Sequence, residues 1–127
     1  VTFHGHIDDA SKHAVVQQSW VHLLPSRKEG WGLAVVEAAQ HGVPTIGYRG
    51  SGGLTDSVVD GVTGVLVDDH AGLVEALERL LGDPVLREEL GAKAAARSRE
   101  FSWQQSADAM RVVCESVHDG KRVSGVL

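Results

Sequence analysis

A single cysteine, Cys114, stands among 127 residues. That excludes an internal disulfide framework and a four-cysteine zinc site. No basic run is present, and the formal net charge is −5, which argues against non-specific nucleic-acid binding. No apolar run approaches the ~20 residues that span a bilayer, and no signal-peptide pattern opens the chain, so a cytoplasmic protein is expected. There is no internal repeat and no low-complexity tract. An initial Met is absent too: Val1 comes first, which suggests a chain cut from something longer. In that case the length bounds the fold but not the function.

What is there reads as a globular chain. Hydrophobic residues make up 43% and charged residues 23%, the balance of an ordered domain. The length is that of one domain. A chain of this size buries roughly two-thirds of its unfolded surface.

Gly and Pro punctuate the chain into alternating elements. Val1 to His4 reads as a strand, and Asp9 to Gln18 as a helix capped by Asp8 or Asp9. Trp20 to Leu24, bounded by Pro25, reads as a second strand. A polar, Gly-rich loop from Ser26 to Gly32 leads into a helix from Leu33 to His41, which Gly42 closes as a left-handed cap. Pro44 to Tyr48 is the third strand. A second Gly-rich loop, Gly50 to Gly53, opens a short helix at Leu54 to Val59, and Gly64 to Val67 is the fourth strand. The remainder is helical. Leu73, Leu77, Leu80 and Leu81 make one apolar stripe. Asp83-Pro84 starts a helix with Leu86 and Leu90 inward. Ser102 with Gln105 caps a last helix, whose stripe is Trp103, Ala107, Met110, Cys114 and Val117. On that stripe Cys114 is expected to be buried and inert. Residues 1–119 form the domain, and 120–127 read as a frayed tail. Near-continuously apolar strands alternating with helices predict an α/β, Rossmann-like, doubly wound parallel sheet with a helical C-terminal segment.

In such sheets ligands sit beyond the carboxyl ends of the strands, where both Gly-rich loops lie. The first carries Glu29-Gly30-Trp31-Gly32-Leu33. Its glycines let an anion approach the unpaired amides at the helix N-terminus, so a phosphate fits over Gly30 to Leu33. Glu37 is the odd residue of an otherwise apolar helix. A carboxylate there either faces the rim or needs a partner, and its two oxygens suit a vicinal diol such as a ribose. Other readings stay open. Glu29 also serves as a first-turn acid favouring the helix dipole, and Glu37 as an ion-paired or solvated residue. Gly52 and Gly53 either bring amides to the ligand or only make a tight turn. Trp31 is a packing residue or a sugar-face platform. The dinucleotide fingerprint fails, because Val35 stands where its third Gly would be.

The histidines show no zinc spacing. Most read as surface or packing residues, with His6 on the ligand rim. Ser26 lacks a nucleophile-elbow context. Arg27 and Lys28 read as a solvated loop pair or as an attraction for phosphate.

Taken together, the run Pro25-Ser26-Arg27-Lys28-Glu29-Gly30-Trp31-Gly32-Leu33-Ala34-Val35-Val36-Glu37-Ala38 resembles the signature of retaining GT-B glycosyltransferases of family 4. Its centre is two glutamates, Glu29 and Glu37, separated by seven residues. Phe3-x-Gly5, Gly42-x-Pro44, Gly52-Gly53, Asp60-Gly61-x-x-Gly64-x-Leu66-Val67 and Phe101-Ser102-Trp103 match in the same order, so the resemblance covers nearly the whole chain. It implies the C-terminal, nucleotide-sugar-binding half of a two-domain enzyme. Glu29 is then the catalytic-site glutamate that contacts the donor-sugar hydroxyls, and Glu37 binds the ribose. The amides of Gly30, Trp31, Gly32 and Leu33 meet sugar and diphosphate, and the nucleobase lies along Gly5, His6 and Ile7. The donor is a UDP-, GDP- or ADP-sugar, transfer retains configuration, and no metal or other cofactor is expected. The family's Arg/Lys pair for the diphosphate lies upstream of the Phe-x-Gly strand and is missing here. The acceptor-binding N-terminal domain, through which peripheral membrane association of the intact enzyme is conceivable, is missing as well. The chain alone is therefore expected to be inactive. The rival readings are a GT-B nucleotide-sugar epimerase or hydrolase, and a non-catalytic sugar-nucleotide or protein-binding module.

Overall fold

The computed structural model describes residues 1–120. Beyond Gly120, the tail expected to fray lies outside the described residues. Three strands, β1 (His22–Leu24), β2 (Thr45–Tyr48) and β3 (Gly64–Val67), pair in parallel in that order. Leu23 lies opposite Ile46, and Ile46 opposite Val65. The helices are α1 (Asp9–Gln17), α2 (Leu33–Gln40), α3 (Leu54–Ser57), α4 (His70–Gly82), α5 (Pro84–Ser98) and α6 (Trp103–His118), and a 3-10 turn spans Arg49–Ser51.

The sheet is covered on both faces because its strands carry apolar residues at consecutive positions, which point alternately up and down. Val65 and Val67 pack with Ile46 against Leu73, Ala76 and Leu80 of α4 and Leu90 of α5. Leu66 and Leu24 turn the other way, onto Val35 of α2 and the Leu54–Val58 segment. Ile46, Leu54 and Leu80 are wholly excluded from solvent. Each such side chain contributes roughly 1.5–3 kcal/mol. The α/β, doubly wound expectation holds.

Local signals place the helix ends. The Asp8 carboxylate accepts the Ser11 amide at 2.7 Å, Asp83 accepts the Leu86 amide at 2.9 Å, and Ser102 Oγ accepts the Gln105 amide at 3.1 Å. Gly42 closes α2 at φ +70°, and the Val43 amide then donates back to the Ala38 carbonyl at 3.1 Å.

Three expectations are corrected. Val1 to His4 form no strand. Neither β1 nor any other described strand pairs with them, and a short run without a ladder partner has nothing to hold it extended; Phe3 is solvent-exposed. Leu81 is exposed while Leu73 and Leu80 are buried, so the apolar stripe of α4 is narrower than expected. The stripe of α6 is not covered either: Trp103 is 90% exposed and Cys114 is exposed rather than buried. Periodicity identifies the apolar face of a helix, but burial requires a second surface to meet it.

Where α5 crosses α2, backbone meets backbone. A Cβ on Gly91 would overlap the Gly42 carbonyl oxygen. Helix propensity alone favours Gly91→Ala by about 1 kcal/mol, but the overlap is with main chain that cannot rotate away. Net destabilisation of about 1–3 kcal/mol is expected for Gly91→Ala in urea unfolding, and a stabilised variant would contradict this packing.

Candidate functional site

The loops after β1 and β2 are joined to each other. The Glu29 amide donates to the Ser51 carbonyl at 2.6 Å, and the Gly53 amide donates to the Glu29 carbonyl at 3.3 Å, so Glu29 and Gly52 form a parallel bridge. Gly52 has φ +92°, and a Cβ at Gly53 would collide with the Gly30 carbonyl. Both glycines are therefore explained by this close approach.

The joined loops fix the start of α2. Gly32 precedes it at φ +79°, and a Cβ there would sit 2.9 Å from Leu54 Cδ2. No side chain caps the helix. Its first-turn amides, at the positive end of the helix dipole, are left without a side-chain acceptor. Glu29 is half-buried ahead of this terminus and Gly30 is exposed.

From Leu33 onward, the outer face of α2 lines a groove of about 830 Å³, within the size range of small-ligand sites. Leu33, Val36, Glu37 and Gln40 form one wall, with Trp31 and His13 beside them; Phe101 and α6 residues from Trp103 to Ala109 form the other. Thus Trp31, Leu33 and Glu37 come together on this groove. Glu29, Gly30 and Gly32 belong to the loop that leads into it, and Gly5, His6 and Ile7 are not on its walls. Gly5 turns at φ +63°, in the open segment that enters α1. The Trp31 ring packs edge-on against Phe101, with centroids 4.8 Å apart, which favours the packing reading of that residue.

Glu37 has a protein partner. Its Oε1 accepts from Lys12 Nζ of α1 at 3.0 Å, and Lys12 also reaches Asp9 at 3.2 Å. These contacts hold the Lys12 ammonium pKa above its usual value, the Glu37 bond first. Beside them, His13 Nδ1 and His41 Nε2 are 2.9 Å apart. Two of the seven histidines thus meet between α1 and the end of α2. Neither contact was readable beforehand, because 25 and 28 residues separate the partners.

Two further side-chain contacts shape the rim. The Arg27 guanidinium lies 5.6 Å from the Tyr48 ring centroid, and the residue stays exposed. Arg49, on the turn after β2, binds Asp60 at 2.8 Å, the Leu66 carbonyl at 2.8 Å and Asp68 at 3.3 Å. Asp60 also accepts the Leu66 amide at 2.9 Å. Burial works against that carboxylate, but the Leu66 amide and Arg49 outweigh it and hold its pKa below the usual range. The Asp60-Gly61 motif is thereby a clasp between β2 and β3.

The family model described as "Glycosyl transferases group 1" matches residues 1–97. The chain belongs to this family. It is 39% identical over 102 residues to a D-inositol 3-phosphate glycosyltransferase of Corynebacterium diphtheriae, covering 79% of this chain and 24% of that protein. It is 34% identical over 123 residues to a glycogen synthase of Mycobacterium tuberculosis, covering 94% and 30%. Among solved structures, a sucrose-phosphate synthase from Thermosynechococcus elongatus superposes with a TM-score of 0.85 at 31% identity, over 94% of this chain and 31% of the other. The chain therefore spans about a quarter to a third of the length of these relatives. Its fold is the Rossmann-like half of a GT-B glycosyltransferase, as the resemblance implied. Among the described residues no helix is long and apolar enough to cross a membrane.

His22 of β1 gives the glycosyltransferase half a measurable pH response. Its Nδ1 lies 3.0 Å from Thr45 Oγ1. Burial pushes its pKa below 6.5, opposed by the Glu37 charge. The unfolded chain takes up this proton first as pH falls, so stability is full above pH 6.5 and declines below it, down to the folded-state pKa. Imidazole NMR titration is expected to place His22 below 6.5, and His22→Gln to flatten that part of the stability profile. A midpoint at or above the ordinary value would contradict the assigned burial.

Proposed function

We propose that this chain is the donor-binding part of a retaining glycosyltransferase, which takes a nucleotide-diphosphate sugar and passes its hexosyl group to an acceptor held by a separate N-terminal domain. The observation that carries this reading is the pairing of an uncapped helix start at Gly32 with a groove wall bearing Glu37, in a chain of the glycosyl transferases group 1 family. In this reading the diphosphate lies over the amides of Gly30, Trp31, Gly32 and Leu33, where charge-assisted hydrogen bonds contribute ~1.5–3 kcal/mol each. Glu37 takes the ribose hydroxyls, and Glu29 orients the donor sugar as the catalytic-site acid. The base lies toward Gly5, His6 and Ile7. Catalysis is electrostatic: the site stabilises the diphosphate as it leaves and the glycosidic bond loosens. No metal or cofactor takes part in this reading, and the enzyme works in the cytoplasm. The family's Arg/Lys pair lies upstream of the Phe-x-Gly strand and the acceptor site belongs to the N-terminal domain, so the 127-residue chain alone is expected to show no transfer.

Calorimetry of the full-length enzyme with UDP-glucose, GDP-mannose and ADP-glucose tests this. One of these donors is expected to bind, and Glu37→Ala to weaken it about ten- to a hundredfold, the loss of a hydrogen bond to a charged group. The melting temperature is expected to hold, because the Glu37 side chain is 40% exposed and exposed ion pairs contribute only ~0–1 kcal/mol. An unchanged donor Kd in Glu37→Ala would overturn the assignment, as would turnover by the 127-residue chain alone.

A further inference from the structure

The residue that meets Glu37 comes from the helix that follows the open segment at Gly5 to Ile7. Asp8 caps α1 through the Ser11 amide, so the chain turns directly from that segment into α1. One turn later Lys12 reaches across to α2 and donates to Glu37 Oε1 at 3.0 Å, while Asp9 holds the same ammonium from the near side at 3.2 Å. The two side chains of the cross-helix pair are 36% and 40% exposed. At that exposure an ion pair adds at most about 1 kcal/mol to stability, so its effect is geometric. α1 itself contributes no buried residue. Its nine residues are too few to hold a helix by themselves, and it meets α2 through Lys12–Glu37 and His13–His41. A carboxylate accepts at two oxygens. Lys12 occupies Oε1 and leaves Oε2, with the remaining lone pairs of Oε1, for hydroxyl donors in the groove.

We propose that Lys12 is the positioning residue for the Glu37 carboxylate, holding it in the rotamer that receives the ribose diol of a nucleoside diphosphate. This rests on the reading of Glu37 as the ribose-binding residue. Lys12 does not touch the nucleotide; it fixes the orientation of the group that does, as a supporting shell does for a binding residue. The device is specific to a diol. A nucleotide without ribose hydroxyls gains nothing from an oriented Glu37 and is insensitive to the loss of Lys12.

The test is calorimetry on the full-length protein with UDP, GDP and ADP and with their 2′,3′-dideoxy counterparts, for wild type, Lys12→Met, Lys12→Arg and Glu37→Gln. Lys12→Met is expected to bind the ribonucleotide about tenfold more weakly, one charge-assisted contact's worth of orientation. It should bind the dideoxynucleotide as wild type does, and Lys12→Arg should restore most of the ribonucleotide affinity. Weakening by Glu37→Gln without any effect of Lys12→Met would overturn this inference and leave the ribose reading intact. Equal weakening of ribo- and dideoxynucleotide by Lys12→Met would make Lys12 a structural residue and also overturn it. If no nucleotide binds, or Glu37→Gln binds as wild type does, the ribose reading itself falls and takes the inference with it.

Discussion

The close approach of two glycine loops governs the rest of the rim. Gly53 can lie on the Gly30 carbonyl only because it lacks a Cβ, and that contact lets Glu29 and Gly52 bridge. Once the loops are joined, the direction in which the chain leaves Gly32 is set. So are the axis of α2 and the positions from which Leu33 and Glu37 project. The core supports the same geometry from below: Val35, in the first turn of α2, packs with Leu54 and Leu66. The packing that anchors α2 to the sheet and the loop contact that starts it are thus two ends of one arrangement.

The energies divide unevenly between scaffold and site. Burial of Ile46, Leu54, Leu80 and Leu90 at roughly 1.5–3 kcal/mol each outweighs any polar contact at the rim. The half-exposed pairs Lys12–Glu37 and Arg49–Asp60 count for ~0–1 kcal/mol apiece. Residues at the rim can therefore be chosen for orientation rather than stability. That separation is why a buried α/β layer can present a carboxylate on a mostly apolar helix. The outer face of α2 is polar at Glu37 and Gln40, while Val35, Ala38 and Ala39 are buried beneath it.

Much of the fold was legible before the structure. Gly42 ends α2 because a left-handed position follows it, and Asp83-Pro84 begins α5 because both residues favour a first turn. These are local effects, decided by a few adjacent residues. Where expectation failed, the deciding partner was distant. Val1 to His4 have strand-like composition but no ladder neighbour among the described residues. The stripe carrying Cys114 has helical periodicity, but among the described residues no surface packs closely enough to bury it.

The same division runs through the site. The spacing of Glu29 and Glu37 and the glycines around them was readable along the chain, because three loop residues and about one helical turn from Leu33 separate the two glutamates. From that spacing followed the family, and from the alternation of apolar strands with helices the α/β class and the rim position of both loops. The packing of α1 was not readable. Only the tertiary structure brought Lys12 to Glu37, His13 to His41 and Trp31 to Phe101. It also decided that Gly52 and Gly53 serve the contact between loops. Local sequence determines where helices and turns begin and end, because those depend on the conformations of neighbouring residues. Which side chains meet across elements depends on the packing of helices against the sheet, a property that no short stretch of sequence contains.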